Sequence, residues 1–176
     1  MDYPQNDVTV RYGREQTCCF TGHRPEKLPW RSNEDDPRCN ALKTEIFLRL
    51  KNIYSAGYRH YICGMALGCD TYYFEQLLKL RALHPEIVIE AAVPCDSQSK
   101  AWSTKEKERY AGFLEQCDRV TYVQHVYTKG CMQKRNRYMI DNSSLLLACF
   151  NGTPGGTMST ILLAERSNLE TEIIEY

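Results

Sequence analysis

The chain has no excess charge of either sign: 22 Lys and Arg stand against 22 Asp and Glu. A balanced chain exerts no global attraction on nucleic acid or on an acidic lipid surface, so neither is expected as a partner, although a local basic groove stays compatible with zero net charge. No apolar run approaches the roughly 18 residues of a membrane span, so no membrane is expected either. The first 16 residues lack an apolar signal core. That leaves the cytoplasm as the expected location, with 1–16 as a polar N-terminal leader ahead of one domain over 17–176. Nine cysteines are present, but there is no Cys-x-x-Cys. The four histidines, His23, His60, His84 and His125, make no metal-ligand spacing with them. An odd count also argues against a full disulfide framework. The expectation is no metal and no disulfide, with thiols serving as small core residues in a reducing compartment.

What the chain does have is an alternation of strand and helix signals. Residues 17–22 read as a first strand, and 23–40 as an unusually long polar loop with three prolines. Leu42, Ile46, Leu50, Ile53 and Tyr54 then recur at helical spacing as far as Gly57. A second strand over 58–65 leads into a turn. The next helix is expected to be capped by Asp70, to bury Tyr73, Phe74, Leu77 and Leu78, and to close at Pro85. Residues 86–94 form a β-branched run, the third strand. Ser103 and Glu106 make a capping box for a helix reaching about Gln116. A fourth strand (118–124), a basic helical segment (128–143), a fifth strand (144–150), a helix (157–167) and an edge strand (170–176) complete the order. Strands alternating with helices imply an α/β fold with a parallel sheet covered on both faces.

In such a sheet, ligands bind outside the carboxyl ends of the strands. Unusual residues fall at four of those ends: Thr21-Gly22-His23-Arg24-Pro25, Gly64 to Asp70, Pro94-Cys95-Asp96, and Pro154-Gly155-Gly156-Thr157. A glycine turn before a helix is by itself only a tight turn. Several on one rim point to an anion or nucleotide site, because glycine admits close backbone approach and the helix start supplies free N–H groups.

The stretches CCFTGHRPEKL, YICGMALGCDTYYFE, AAVPCDSQSKAWS and RNRYMIDNSSLLLACFNGTPGGTMSTILLAE, in this order, resemble the SLOG superfamily of DprA and LOG proteins, and within it the YpsA-like bacterial group. The resemblance covers roughly residues 16–170. It implies a single-domain Rossmann-like three-layer α/β/α sandwich with a mostly parallel sheet of five to six strands, and a small-molecule ligand of nucleotide type. By that likeness Gly155, Gly156 and Thr157 are the phosphate turn. Gly64, Ala66, Gly68 and Asp70 form the second ligand-facing turn, where Asp70 either caps its helix or touches a ribose hydroxyl. Thr21, Gly22 and Arg24 are the first-strand motif, and Arg24 is suited to bidentate phosphate pairing. Asn136 and Asp141 match polar positions ahead of the fifth strand; a solvated helix-end carboxylate is the alternative for Asp141. The likeness also leaves a homo-oligomer open.

Three functions compete. A ligand sensor needs only the glycine turns and Arg24. A LOG-like phosphoribohydrolase would need an Arg on the preceding helix, for which Arg135 and Arg137 are available, and a Glu after the glycines to stabilise charge developing on ribose. Here Met158 replaces the third glycine, Ile161 or Leu162 stands in place of that Glu, and Glu165 comes a turn too late. Asp70, Glu75 and Asp141 are substitute acids, and His23 is either a general base or a loop anchor. DprA-like single-stranded DNA binding would use Lys129, Lys134, Arg135 and Arg137 with stacking tyrosines. Trp30 and Trp102, the only tryptophans, lie in the two long loops and either stack on a base or anchor those loops to the core.

Overall fold

Six strands and five helices alternate in the computed structural model, which describes residues 12–176. The strands are β1 (Thr17–Gly22), β2 (His60–Cys63), β3 (Val88–Val93), β4 (Arg119–Tyr122), β5 (Leu145–Cys149) and β6 (Glu170–Ile174). The helices are α1 (Pro37–Ser55), α2 (Cys69–Leu83), α3 (Thr104–Glu115), α4 (Cys131–Asp141) and α5 (Gly156–Arg166). Every strand pair is parallel, in the order β4-β3-β2-β1-β5-β6. The mostly parallel sheet expected from the sequence is therefore a fully parallel one of six strands. Most of the expected leader, 1–11, lies outside the described residues. Arg14–Gln16 form a 3-10 turn, and the Tyr12 hydroxyl donates to the Glu86 carbonyl at 3.1 Å.

Successive strand residues face opposite sides, and both sides are apolar because both are covered. Cys18, Phe20, Tyr61, Cys63, Ile89 and Leu147 pack with α1, α2 and α3. Cys19, Ile62, Ala92, Leu146 and Ala148 pack with α4 and α5. All nine cysteines are free and buried. Among the described residues, no helix is long and apolar enough to cross a membrane.

Helix starts depart from expectation at α1, at α2 and at α4, which begins at Cys131 behind Gly130 at φ +94° and not at 128. α1 begins at Pro37, before Asn40, because Asp36 accepts the Arg38 N–H at 2.8 Å and Pro37 is pre-set for a first helical position. Asp70 does not cap α2. Gly68 holds the cap position, at φ +86°, and Asp70 lies inside the first turn with its carboxylate turned back to the Ala66 N–H at 3.0 Å. The deep stripe of α2 is Tyr73, Phe74, Leu77 and Leu80, with Leu78 only partly buried. The Ser103–Glu106 capping box forms as expected.

The connection from β1 to α1 is long but anchored. Leu28 and Trp30 are buried, and the Trp30 indole donates to the Tyr72 hydroxyl at 3.2 Å. Glu34 joins Arg109 at 2.6 Å and Lys43 at 2.7 Å, and Glu75 joins the same two cations. Burial opposes ionisation of Glu34, but the donations from Arg109 and Lys43 outweigh it and hold its carboxyl at about 2. A carboxyl depressed in the folded state adds stability above its ordinary value near 4.5, and that stability is lost as pH falls toward about 2. Glu34→Gln therefore lowers the Tm at pH 7, and the gap to the wild type narrows steadily below pH 4.5. A gap that stayed constant from pH 7 to 3 in thermal unfolding would exclude the ion cluster as its origin.

Candidate functional site

From β1 the chain runs outward through β2, β3 and β4, then returns to β5 on the other side of β1. α1 and α5 thus leave neighbouring strands toward opposite faces, and a crevice opens at the carboxyl ends of β1 and β5. Three connections meet there: residues 23–36 after β1, 64–68 after β2 and 150–155 after β5.

Their backbones approach so closely that side chains are excluded. A Cβ on Gly22 would collide with Cys69 and press on Cys149. A Cβ on Gly68 would lie 2.6 Å from the His23 carbonyl and 3.0 Å from the Arg24 Cα, at a φ that already disfavours one. The Cys69 N–H donates to that same His23 carbonyl at 3.0 Å, so the turns after β1 and β2 move as one. Met65 is buried at φ +56°, an unusual backbone for a side-chain-bearing residue at the mouth of the crevice.

The turn after β5 is open. Residues 151–156 are exposed, while Thr157 is buried. Gly155 sits at φ +150°, ψ −155°, a region only glycine enters readily. α5 starts without a side-chain cap and without an acidic residue in its first turn, so its leading N–H groups and its positive end face outward. The Lys27 ammonium lies directly on this turn, donating to the Pro154 carbonyl and occupying the space a Gly155 side chain would need. Arg24 is exposed beside it; its carbonyl accepts from the Lys27 N–H at 3.0 Å, while its guanidinium makes no hydrogen bond or ion pair among the described residues.

Behind the crevice, Arg135 of α4 is buried and donates to the Gly64 carbonyl, while its Nε donates to Asn136 Oδ1 at 2.8 Å. Asn136 in turn donates to Thr160 Oγ1 at 2.8 Å, which fastens α4 to α5. Burial pushes Arg135 down and Asp70 up, and each partly restores the other's charge across the Gly64–Gly68 turn. Arg24 acts on both: it helps to ionise Asp70 and repels Arg135. Two guanidiniums with one internal carboxylate leave positive charge facing the crevice.

The structure thus brings together Thr21, Gly22, Arg24, Gly64, Ala66, Gly68, Asp70, Gly155, Gly156 and Thr157 at one rim, with Asn136 directly behind. It does not bring Asp141, which ends α4 at the opposite, amino-terminal end of the strands, exposed and 3.6 Å from Arg137. Glu75 is taken up by Lys43 and Arg109. His23 is buried, with its Nδ1 2.6 Å from the Tyr176 hydroxyl and its ring against Phe150. Burial, aided by Lys27, holds its imidazole below the ordinary value. It is a neutral anchor for its loop. Leu162 is exposed and Ile161 buried at the turn where a LOG-like acid would stand. Sequence reasoning missed Lys27, which follows the first-strand motif with no spacing signal. It also missed Gln98, which donates to the Gly64 and Met65 carbonyls at 3.0 and 3.2 Å.

A fully parallel sheet with glycine turns converging at its switch point defines a Rossmann-like protein of the SLOG kind. More particularly, the chain belongs to the YspA SLOG family, whose model matches residues 18–173. It is 27% identical to the SPbeta prophage-derived protein YoqJ of Bacillus subtilis, over 76% of this chain and 86% of that one. It is 26% identical to a UPF0398 protein of Bacillus pumilus, over 78% and 74% of the two. Among solved structures it is similar to DNA processing protein A of Helicobacter pylori, described for its single-stranded DNA binding mode, with a TM-score of 0.61 and 16% identity over 93% of this chain and 66% of that one. The DprA of Streptococcus pneumoniae gives a TM-score of 0.62 at 14% identity, over 92% and 51%. At these identities the two structures establish the fold, and this chain spans about two thirds and half of their respective lengths.

Proposed function

We propose that the protein binds a phosphorylated, nucleotide-type ligand in the reducing cytoplasm and acts as a sensor or regulatory module. The carrying observation is the open start of α5, an uncapped turn of exposed N–H groups with the Lys27 ammonium on it and Arg24 unpaired beside it. A phosphate there would accept from Gly156, Thr157 and Lys27. A ribose over the β1 and β2 turns would meet the buried Asp70 carboxylate. Turnover is not part of this reading: no acid stands on α5 near the turn, and His23 is buried with its Nδ1 on the Tyr176 hydroxyl.

Single-stranded DNA is the second reading, favoured by the likeness to the Helicobacter pylori protein and opposed by zero net charge. A sugar-phosphate backbone carries the same chemistry as a free nucleotide, so one experiment separates the two. Nucleoside monophosphates, NAD, ADP-ribose, cyclic dinucleotides and a short oligonucleotide are screened by thermal shift, with mass spectrometry of the recovered ligand. The expected result is stabilisation by a mononucleotide-class ligand recovered intact, weakened about tenfold or more in both Lys27→Ala and Arg24→Ala. Salt-sensitive binding of the oligonucleotide alone would transfer the site to DNA. Release of free base would make the protein an enzyme, and no shift with any ligand would reduce the turn to a structural one.

A further inference from the structure

A cavity of about 220 Å³ opens on the other side of the Gly64–Asp70 turn, between α2, α3 and the connection after β1. Its walls are unlike the crevice. Trp102, Tyr110, Phe113 and Tyr72 supply aromatic surface, and Met65 and Leu67 supply aliphatic surface. Asp70, Thr71, Ser103, Glu106 and Arg109 add polar groups to the lining. Trp102 is half-buried, lines the cavity and meets Tyr110 edge-to-face with ring centroids 5.3 Å apart. The other tryptophan is spent on packing: Trp30 is buried against Tyr72 and Tyr176.

Size and placement decide what fits. Pockets for a whole drug-sized ligand hold about 300–1,000 Å³, so this one suits a single planar ring system. It shares Ala66, Gly68 and Asp70 with the crevice. β5, β1 and β2 are successive neighbours in the sheet, so two strand spacings, about 10 Å, separate the end of β5 from that of β2. That is about the length of a nucleoside 5′-monophosphate from its phosphorus to the far edge of its base. Glu106 at the cavity's edge commits one carboxylate oxygen, Oε2, to Ser103. Its Oε1 makes no hydrogen bond among the described residues and can accept from a ring N–H or an exocyclic amino group.

We infer that the cavity beneath Trp102 is the base subsite: it takes the nucleobase of a ligand whose phosphate rests on Gly155–Thr157. The inference rests on the phosphate reading for the position of the other end, and names the part of the ligand that gives specificity.

The test uses the protein with Trp30→Phe, which makes Trp102 the only indole. The four ribonucleoside 5′-monophosphates and ribose 5-phosphate are titrated, reading both Trp102 fluorescence and thermal shift. At least one mononucleotide is expected to quench Trp102, whereas ribose 5-phosphate stabilises without quenching. In the otherwise wild-type protein, Trp102→Ala weakens that mononucleotide about tenfold and leaves ribose 5-phosphate unchanged, and Trp102→Phe restores most of the loss. Equal affinity for the mononucleotides and ribose 5-phosphate, or indifference to Trp102→Ala, overturns the base subsite and leaves the phosphate site standing. Quenching by a mononucleotide that survives Gly156→Asp supports the cavity and removes the phosphate site instead.

Discussion

Replacing Glu90 by alanine is expected to cost about 3–5 kcal/mol of unfolding free energy, a fall in Tm of roughly 6–20 °C for a chain of this size. Glu90 stands in the middle of β3 with no exposed surface. Its Oε1 accepts from Thr121 at 2.7 Å and Tyr138 at 2.5 Å, and its Oε2 lies 2.9 Å from His60 Nε2 and 3.4 Å from Arg119. His60 continues the chain of contacts through Nδ1 to Thr17 at 3.1 Å. One carboxylate therefore links four strands and α4. Burial raises its carboxyl, but His60, Tyr138 and Thr121 together hold it below the ordinary value. Its contribution is therefore present at neutral pH and lost as pH falls through the folded-state value. Alanine removes the acceptor that the partly buried Thr121 and Tyr138 hydroxyls share and the carboxylate beside buried His60, so part of the desolvation cost of each is left uncompensated. Glu90→Gln retains the shape and one acceptor oxygen and should lose less. Paired with His60→Ala, Glu90→Ala should be clearly less than additive in denaturant unfolding, because the two side chains belong to one network. A Glu90→Ala protein within about 1 kcal/mol of the wild type would show that the sheet repacks around the loss.

The contrast between Glu90 and the glycines shows which parts of this molecule can be read from a sequence. Strand and helix alternation, the capping box at Ser103 and the parallel sheet rest on local periodicity and short-range hydrogen bonds, and these are legible. The converging turns are legible too, because glycine at a strand end has few other uses in a doubly covered sheet. Glu90 is not: it reads as one polar residue in a β-branched run, and its partners come from residues 60, 119, 121 and 138. Lys27 is hidden for the same reason. Its target, the carbonyl of Pro154, is 127 positions away. Asp70 reads as a cap from side-chain preference, but Gly68, at φ +86°, starts the helix earlier. Asp141 belongs to the rim by resemblance alone, and a helix of 11 residues between β4 and β5 carries its last residue to the amino-terminal end of the strands. The two tryptophans had equal standing in the sequence. Only the packing of Tyr72 and Tyr176 around Trp30 separates an anchor from a cavity wall.

Gly156→Asp is expected to abolish ligand binding while leaving the fold intact, and this separation makes it the sharpest test of the phosphate site. Gly156 is the first residue of α5, and a Cβ there would meet nothing within 4 Å. The substitution therefore has room. An acidic side chain at a helix start is also favourable to the helix, by about 0.3–1 kcal/mol. Stability in the absence of ligand should hold or rise slightly. The same carboxylate would stand among the N–H groups offered to a phosphate, accept from them, and draw Lys27 to itself. Opposing a phosphate with a like charge costs several kcal/mol, which is an affinity loss of about a hundredfold or more. Gly156→Ala controls for bulk: its methyl enters open space, so affinity should stay within a few-fold of the wild type. Should alanine lose as much as aspartate, the effect is steric and the turn is merely narrow. Should aspartate bind ribose 5-phosphate or a mononucleotide as the wild type does, by calorimetric titration at matched ionic strength, the phosphate does not rest on α5. The positive crevice bounded by Arg24 and Arg135 would then have to hold the anion by itself.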